Sequence, residues 1–318
     1  MAKFRNPFCK TRLECPVCNS INEFDCIRQG AFTESGRDTD FMPLGLQWAD
    51  PACQQINPLL FFAAACDRCY YTREINSSFI DWQNDTNFKT YRLPGQAKKH
   101  LDSLIAPGSP ILTLGRKIDQ INYPVETAVV KLLLAVYDEK LLDQPSSLDL
   151  ARFHLRIVWL FRGAKTDGRT PDPLLRTSNG IQNEMNGPGS DSSNNGFWEY
   201  SSFHDFLQEL KSRFDEIPVN ETEALTLALD YYLNAFHNGR EIRPGLRQLQ
   251  AVYLIAELSR RIGRLEQARE YFKKASEIAQ EIVSANRNNK SMASNARVIM
   301  DMSVEQERLV GQAEKVGA

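Results

Sequence analysis

Cys15-Pro-Val-Cys18 and Cys66-Asp-Arg-Cys69 both stand near the start of a chain of 318 residues whose remainder reads as helix. A Cys-x-x-Cys turn lets both sulfurs reach one ion while backbone N–H groups point back at them. Two such turns supply four soft thiolates at about 2.3 Å and close a tetrahedral shell. Forty-seven residues separate Cys18 from Cys66, well beyond the roughly 15–20 of compact fingers. The ion would therefore pin together two distant knuckles of a ribbon carrying a long insert. Loop closure grows costlier only slowly with length, so the spacing is no obstacle. A structural Zn²⁺ on Cys15, Cys18, Cys66 and Cys69 is the expectation. An iron–sulfur cluster takes the same four thiolates, so ligand type leaves zinc and iron both open. Catalytic zinc is not expected, because four protein ligands leave no position for water. A redox dithiol wants one pair at a helix N-terminus after a strand, whereas here there are two pairs with proline- and aromatic-rich flanks. The other cysteines, Cys9, Cys26 and Cys53, read as buried free thiols, with Cys9 the one able to swap into the site.

Around the knuckles, residues 1–95 read as strand and turn. Gly30, Gly36, Asp38, Asp40, Pro43, Gly45, Pro51 and Pro58 leave no helical period there. The apolar run Pro58–Cys66 suggests a buried strand feeding the second knuckle. Pro94, Gly95, Pro107, Gly108 and Pro110 then form a connector and a domain boundary.

From Asn122 onward the signals are helical. Asn122 is a candidate cap with Pro124 near the first position. Ser146 or Ser147 starts a second helix carrying Leu150, Phe153, Ile157, Leu160 and Phe161 at three- and four-residue spacing, with Gly163 at its end. Residues 165–196, rich in Gly, Pro, Ser and Asn, cannot bury enough surface to offset the entropy of ordering, and read as a disordered insertion. Helices resume near Phe197 and after Asn220, where Glu223 completes the order of a capping box. A pair follows over Gly245–Ile262 and Leu265–Ala285 with Gly263 at the turn, then a last helix over roughly Lys290–Lys315. The whole predicts a mostly α, α+β fold. It comprises a zinc-ribbon-like β module at 1–95 and a tetratricopeptide-like helical domain at 120–316.

The tetratricopeptide expectation rests on Gly263, Ala268, Phe272 and Ala275. Small residues there allow close helix approach and an aromatic fills the gap between hairpins. Val252 stands where a large aromatic belongs, and Ala224, Ala228 and Tyr231 give a fainter echo. Leu246–Ala256 and Leu254–Ile262 make the preceding helix apolar on two faces, as in a stacked array. A generic antiparallel bundle shares the same packing.

A net charge of −2 does not mark the whole chain as a nucleic-acid or membrane binder. One local excess runs from Arg240 to Lys274, nine basic residues against four acidic. It reads as a solvated helix surface or as a contact for an acidic partner. No secretory signal begins the chain and no apolar run approaches the ~20 residues of a membrane span. Cytoplasmic location is the expectation.

Cys15-Pro-Val-Cys18, Arg37-Asp-Thr-Asp-Phe41, Asn57-Pro58 and Cys66-Asp-Arg-Cys69-Tyr-Tyr71, in that order, resemble the bacterial domain of unknown function 2225 family. Ala151–Phe161 and Gly263–Ala275 fit its C-terminal part. The resemblance implies a zinc-ribbon-like head followed by helical repeats and carries no activity with it. The family tends to place glycine after each second cysteine; here Asn19 and Tyr70 stand there. Asn tolerates the left-handed conformation and Tyr does so less readily, which implies strain or a shifted second turn.

Asp38 and Asp40 read as turn or cap residues, with a hard cation or a hold on Arg37 as alternatives. None of His100, His154, His204 and His237 pairs with a Cys or carboxylate at motif spacing, and His154 reads as a packed or rim residue. There is no phosphate loop, nucleophile elbow or H-E-x-x-H. These readings favour a non-catalytic scaffold that binds a protein partner. A nucleic-acid-associated ribbon protein is the alternative, and a thiol redox enzyme the third.

Overall fold

The computed structural model describes residues 6–166, 202–239, 241–286 and 289–317. The expected disordered insertion, beyond residue 166, and the helix start near Phe197 lie outside the described residues.

Three antiparallel hairpins open the fold: β1 (Phe8–Glu14) with β2 (Ile21–Ile27), β3 (Phe32–Arg37) with β4 (Pro43–Trp48), and β5 (Ala63–Ala65) with β6 (Thr72–Glu74). The first and third each turn through one Cys-x-x-Cys. Along β1 and β2 the pleat alternates as a half-buried hairpin should, with Leu13 and Asn22 inward while Arg12 and Glu23 face out. The run Pro58–Cys66 is not one strand. Asn57 Oδ1 accepts from the Leu59 N–H at 3.0 Å and Pro58 fixes the first φ, so Pro58–Phe61 winds into a 3₁₀ turn and only Ala63–Ala65 extends.

Helices follow: α1 (Ser77–Ile80), α2 (Leu93–Ile105), α3 (Pro110–Gly115), α4 (Pro124–Lys140), α5 (Ser147–Thr166), α6 (Phe203–Arg213), α7 (Glu221–His237), α8 (Leu246–Arg261), α9 (Leu265–Ala285) and α10 (Lys290–Gly317). The chain is α+β and mostly α. The Pro94–Gly95 connector turns out to be the first turn of α2, where a proline lacks no hydrogen bond the helix would make. Asn122 does not cap α4. Its amide binds the Asp119 carboxylate at 2.7 Å, and Tyr123 precedes Pro124 with no side-chain cap. Ser146 does cap α5, accepting from the Asp149 N–H at 3.2 Å, and Gly163 lies inside that helix rather than at its end. Asn220 accepts from the Glu223 N–H at 2.9 Å, while Glu223 reaches back to the Val219 N–H, one residue beyond the usual capping box.

α4 is buried along nearly its whole length, from Thr127 to Glu139, because it packs on α3 and α5 and also on β5 and β6. α8 is buried at Leu249 and continuously from Ala251 to Ser259, by α7, α9 and α10. Gly263 takes a φ of +82° at the α8–α9 turn, a conformation that favours glycine. Ala268, Ala275 and Ala279 are fully buried along α9, and Phe272 stands 5.8 Å from the Tyr253 ring. One apolar core runs from Leu60 and Ala63 through α4, α5, α7, α8 and α9 to Val310, and a smaller one lies under the knuckles.

The β3–β4 tip reaches into the helices. Asp38 and Asp40 make the turn, accepting from the Thr39 and Met42 N–H groups, but their hold is on Arg162 and Arg261 and not on Arg37, which pairs with Glu34. Arg162 meets Asp38 at 2.9 Å, Asp40 at 2.8 Å and Glu221 at 2.9 Å. Arg261 meets Asp38 at 3.0 Å and Glu257 at 2.7 Å, and Phe41 packs on Tyr253 at 5.3 Å.

Candidate metal centre

The two knuckles are copies of one turn. After β1, the Asn19 N–H donates to the Cys15 carbonyl at 2.9 Å, and the Cys15 N–H to the Ser20 carbonyl at 2.8 Å. After β5, the Tyr70 N–H donates to the Cys66 carbonyl at 2.9 Å, and the Cys66 N–H to the Tyr71 carbonyl at 2.9 Å. The residue after the second cysteine must turn left-handed to close this ring. Asn19 has a φ of +57° and Tyr70 of +63°. The second turn is therefore strained rather than shifted. Gly115 leaves room for the ring that this turn projects: a Cβ there would stand 2.2 Å from the Tyr70 ring.

Facing each other, the turns bring the sulfurs of Cys15, Cys18, Cys66 and Cys69 within 4.8 Å of one another. Cys15 and Cys69 are 3.7 Å apart and Cys18 and Cys66 3.6 Å. Bonds of about 2.3 Å at tetrahedral angles put sulfurs about 3.8 Å apart, so the donor set fits one tetrahedral ion. All but Cys18 are buried. Thiols this close do not ionise independently. Contacts with the Cys15 and Cys69 thiols, then Ser20, pull Cys66 down, and the same contact with Cys66 pushes Cys15 up to about 12. A cation held there would take all four as thiolates.

Residues that sequence spacing did not flag hold the knuckles in place. The buried Asn22 amide donates to the Ser20 carbonyl at 3.0 Å and lies 3.6 Å from the Cys66 sulfur, while its Oδ1 accepts from the Asp67 N–H at 3.0 Å. It thus ties one knuckle to the other. His100, fully buried on α2, sets Nε2 2.8 Å from the Cys69 carbonyl and Nδ1 2.6 Å from Asp138 Oδ1 on α4. Both ring nitrogens face acceptors, so the imidazolium is the form that satisfies them. Burial alone would lower its pKa, but the Asp138 carboxylate and that carbonyl outweigh it and raise it. Asp138 Oδ2 also accepts from the Thr72 N–H at 2.7 Å. Tyr71, fully buried, donates to Gln96 at 3.1 Å, and Gln96 donates to the Asp138 carbonyl. The His100–Asp138 pairing had no local signal, because the two residues lie on different helices.

Cys9 and Cys26 lie opposite each other on β1 and β2, half-buried rather than buried and outside the cluster, so Cys9 does not swap into it. Cys53 is buried beside Ala31 and Trp48. No helix among the described residues is long and apolar enough to cross a membrane.

Fold and site together define a mostly helical α+β protein with a four-cysteine cluster able to hold a metal ion. The chain belongs to the family described as uncharacterized protein conserved in bacteria, domain of unknown function 2225, which it matches over residues 8–302. No curated protein and no solved structure matches it.

Proposed function

We propose that this protein is a non-catalytic scaffold. A structural Zn²⁺ on Cys15, Cys18, Cys66 and Cys69 would hold a zinc-ribbon-like module over residues 1–95, and tetratricopeptide-like helices over 120–316 would offer a surface to a protein partner. The observation that carries the metal half is the sulfur quartet within 4.8 Å. A shell of four protein thiolates is closed, which suits a folding role and leaves no coordination position for a substrate. The partner half rests on the stacked helices, since arrays of this kind present extended faces. Two of the basic residues behind the nucleic-acid alternative, Arg260 and Arg261, bind Glu257 and Asp38. That leaves less free positive charge for phosphates.

Elemental analysis of the purified protein tests the metal half. Close to one zinc per chain, lost in Cys15→Ser and Cys69→Ser, is the expected result. Iron in its place, or neither metal, defeats it. Affinity capture of a protein partner that survives nuclease treatment and moderate salt tests the other half. Steeply salt-dependent retention on DNA or RNA would favour the alternative.

A further inference from the structure

We infer that Cys9 and Cys26 form a second, independent thiol site: a cross-strand dithiol that a low-molecular-weight organic disulfide oxidises reversibly to an intrachain disulfide. The register places Cys9 directly opposite Cys26. The phase of the ladder follows from its ends, where the Arg28 N–H donates to the Pro7 carbonyl and the Cys15 N–H to the Ser20 carbonyl. Pairs alternate along an antiparallel ladder, so Cys9/Cys26 is a hydrogen-bonded pair with Cα atoms about 5.5 Å apart. That lies inside the roughly 4.4–6.8 Å that a disulfide spans. Residues opposite each other share a face, and the Cys9 sulfur already lies 3.5 Å from the Cys26 carbonyl. Both side chains are half-buried, so a small oxidant reaches them.

In the first step the thiolate of one cysteine attacks the organic disulfide, forming a mixed disulfide and releasing one organic thiolate. The thiolate of the other then attacks the protein-bound sulfur, closing the Cys9–Cys26 bond and releasing the second. Two protein thiols are oxidised, one organic disulfide is reduced to two thiols, and the two protons leave with them. Opposed Cβ atoms in such pairs stand somewhat further apart than the ~3.8 Å a relaxed disulfide prefers, which makes the bond strained and readily reduced. The link would close the open end of the hairpin whose turn carries Cys15 and Cys18. It would thereby fix the register that delivers both sulfurs to the metal centre.

The experiment treats the full-length, metal-loaded protein with oxidised glutathione, blocks free thiols and maps peptides by mass spectrometry. The expected product has lost the mass of two hydrogen atoms, contains a linked Cys9–Cys26 peptide, reverts with dithiothreitol and keeps its metal. Cys9→Ser and Cys26→Ser should each abolish the linked peptide while retaining the metal and the circular dichroism of the parent. Free Cys9 and Cys26 after treatment, or stable glutathione adducts on either, would overturn the inference. So would linkage confined to Cys15, Cys18, Cys66 and Cys69 with loss of metal.

Discussion

At the second knuckle a tyrosine occupies a backbone conformation that costs an L residue about 1–2 kcal/mol, and a glycine on another element makes room for its ring. Gly115→Ala would drive a Cβ to within 2.2 Å of the Tyr70 ring. Overpacking of this kind typically costs about 1–3 kcal/mol. Urea unfolding should show that loss, and Tyr70→Ala in the same chain should recover part of it, since the two sites share one clash. The left-handed position after each second cysteine was legible from the family resemblance, which implies glycine there. Gly115 was not, because its need arises only across the packed interface. His154 presents a different residue-scale case. It is fully buried on α5, stacked on Tyr231 at 5.6 Å, and neither ring nitrogen has a hydrogen-bond partner. Burial lowers its pKa to about 4. The unfolded chain takes up this proton below about 6.5 and the native state resists it until about 4. Stability is therefore lost as pH falls through that window, by on the order of 3 kcal/mol at most. Denaturant midpoints measured from pH 7 to 4 should fall less steeply in His154→Leu than in the parent. Parallel curves would remove His154 as a cause of acid lability.

At the scale of elements, the local signals did better than the distant ones. Ser146 and Asn220 cap where their sequences say, because a cap needs only residues two or three positions away. Asn122 failed as a cap because the helix starts one residue later, with Tyr123 in the cap position, and the Asn122 amide donates to the Asp119 carboxylate instead. The docking of the β3–β4 tip had no such signal. Asp38 and Asp40 were readable as turn residues, but Arg162 and Arg261 lie far along the chain, on α5 and α8. Their contact is nevertheless a buried polar link between hairpin and helices, for Asp40 is fully buried and Arg162 is only 16% exposed on its side chain. Arg162→Met should leave a buried carboxylate without its cation, a change that costs about 3–5 kcal/mol. Asp40→Asn combined with it should cost less than the sum of the two, because the second change removes the charge the first one stranded. A thermodynamic cycle from denaturant unfolding measures that coupling, and additive costs would mean that Asp40 and Arg162 do not act as a pair.

The described residues form two main cores of unequal size, beside a small cluster of Ala31, Trp48 and Cys53. The larger runs unbroken through α4, α5, α7, α8 and α9. The smaller gathers Leu13, Val17, Ala64, Tyr71, Phe79, Trp82, Phe88 and Leu93 around the four cysteines. The division into a cysteine-held start and a helical remainder was legible because cysteine spacing and apolar period each act over short stretches. What the sequence hid is how the parts join: α2 and α4 reach the knuckle through His100 and Asp138, and Leu60 and Ala63 sit in the helical core. A core as small as the first is marginal without a staple. Binding a structural zinc at neutral pH is worth about 10–16 kcal/mol in small zinc-held peptides, so the proposed ion would dominate the stability of the first core and add little to the second. A strong chelator should therefore act unevenly. Trp82, buried and bonded to the Glu14 carbonyl at 3.0 Å, should lose its blue-shifted fluorescence, and the first hairpins should become sensitive to protease. Most of the far-ultraviolet helical signal should survive. The loss should extend into α2, whose His100 would no longer have an ordered Cys69 carbonyl to bind. Complete collapse of the helical signal on chelation would mean that the link from the knuckle through His100 to Asp138 on α4 makes the two cores one cooperative unit. An unchanged Trp82 would mean that the small core stands without a metal.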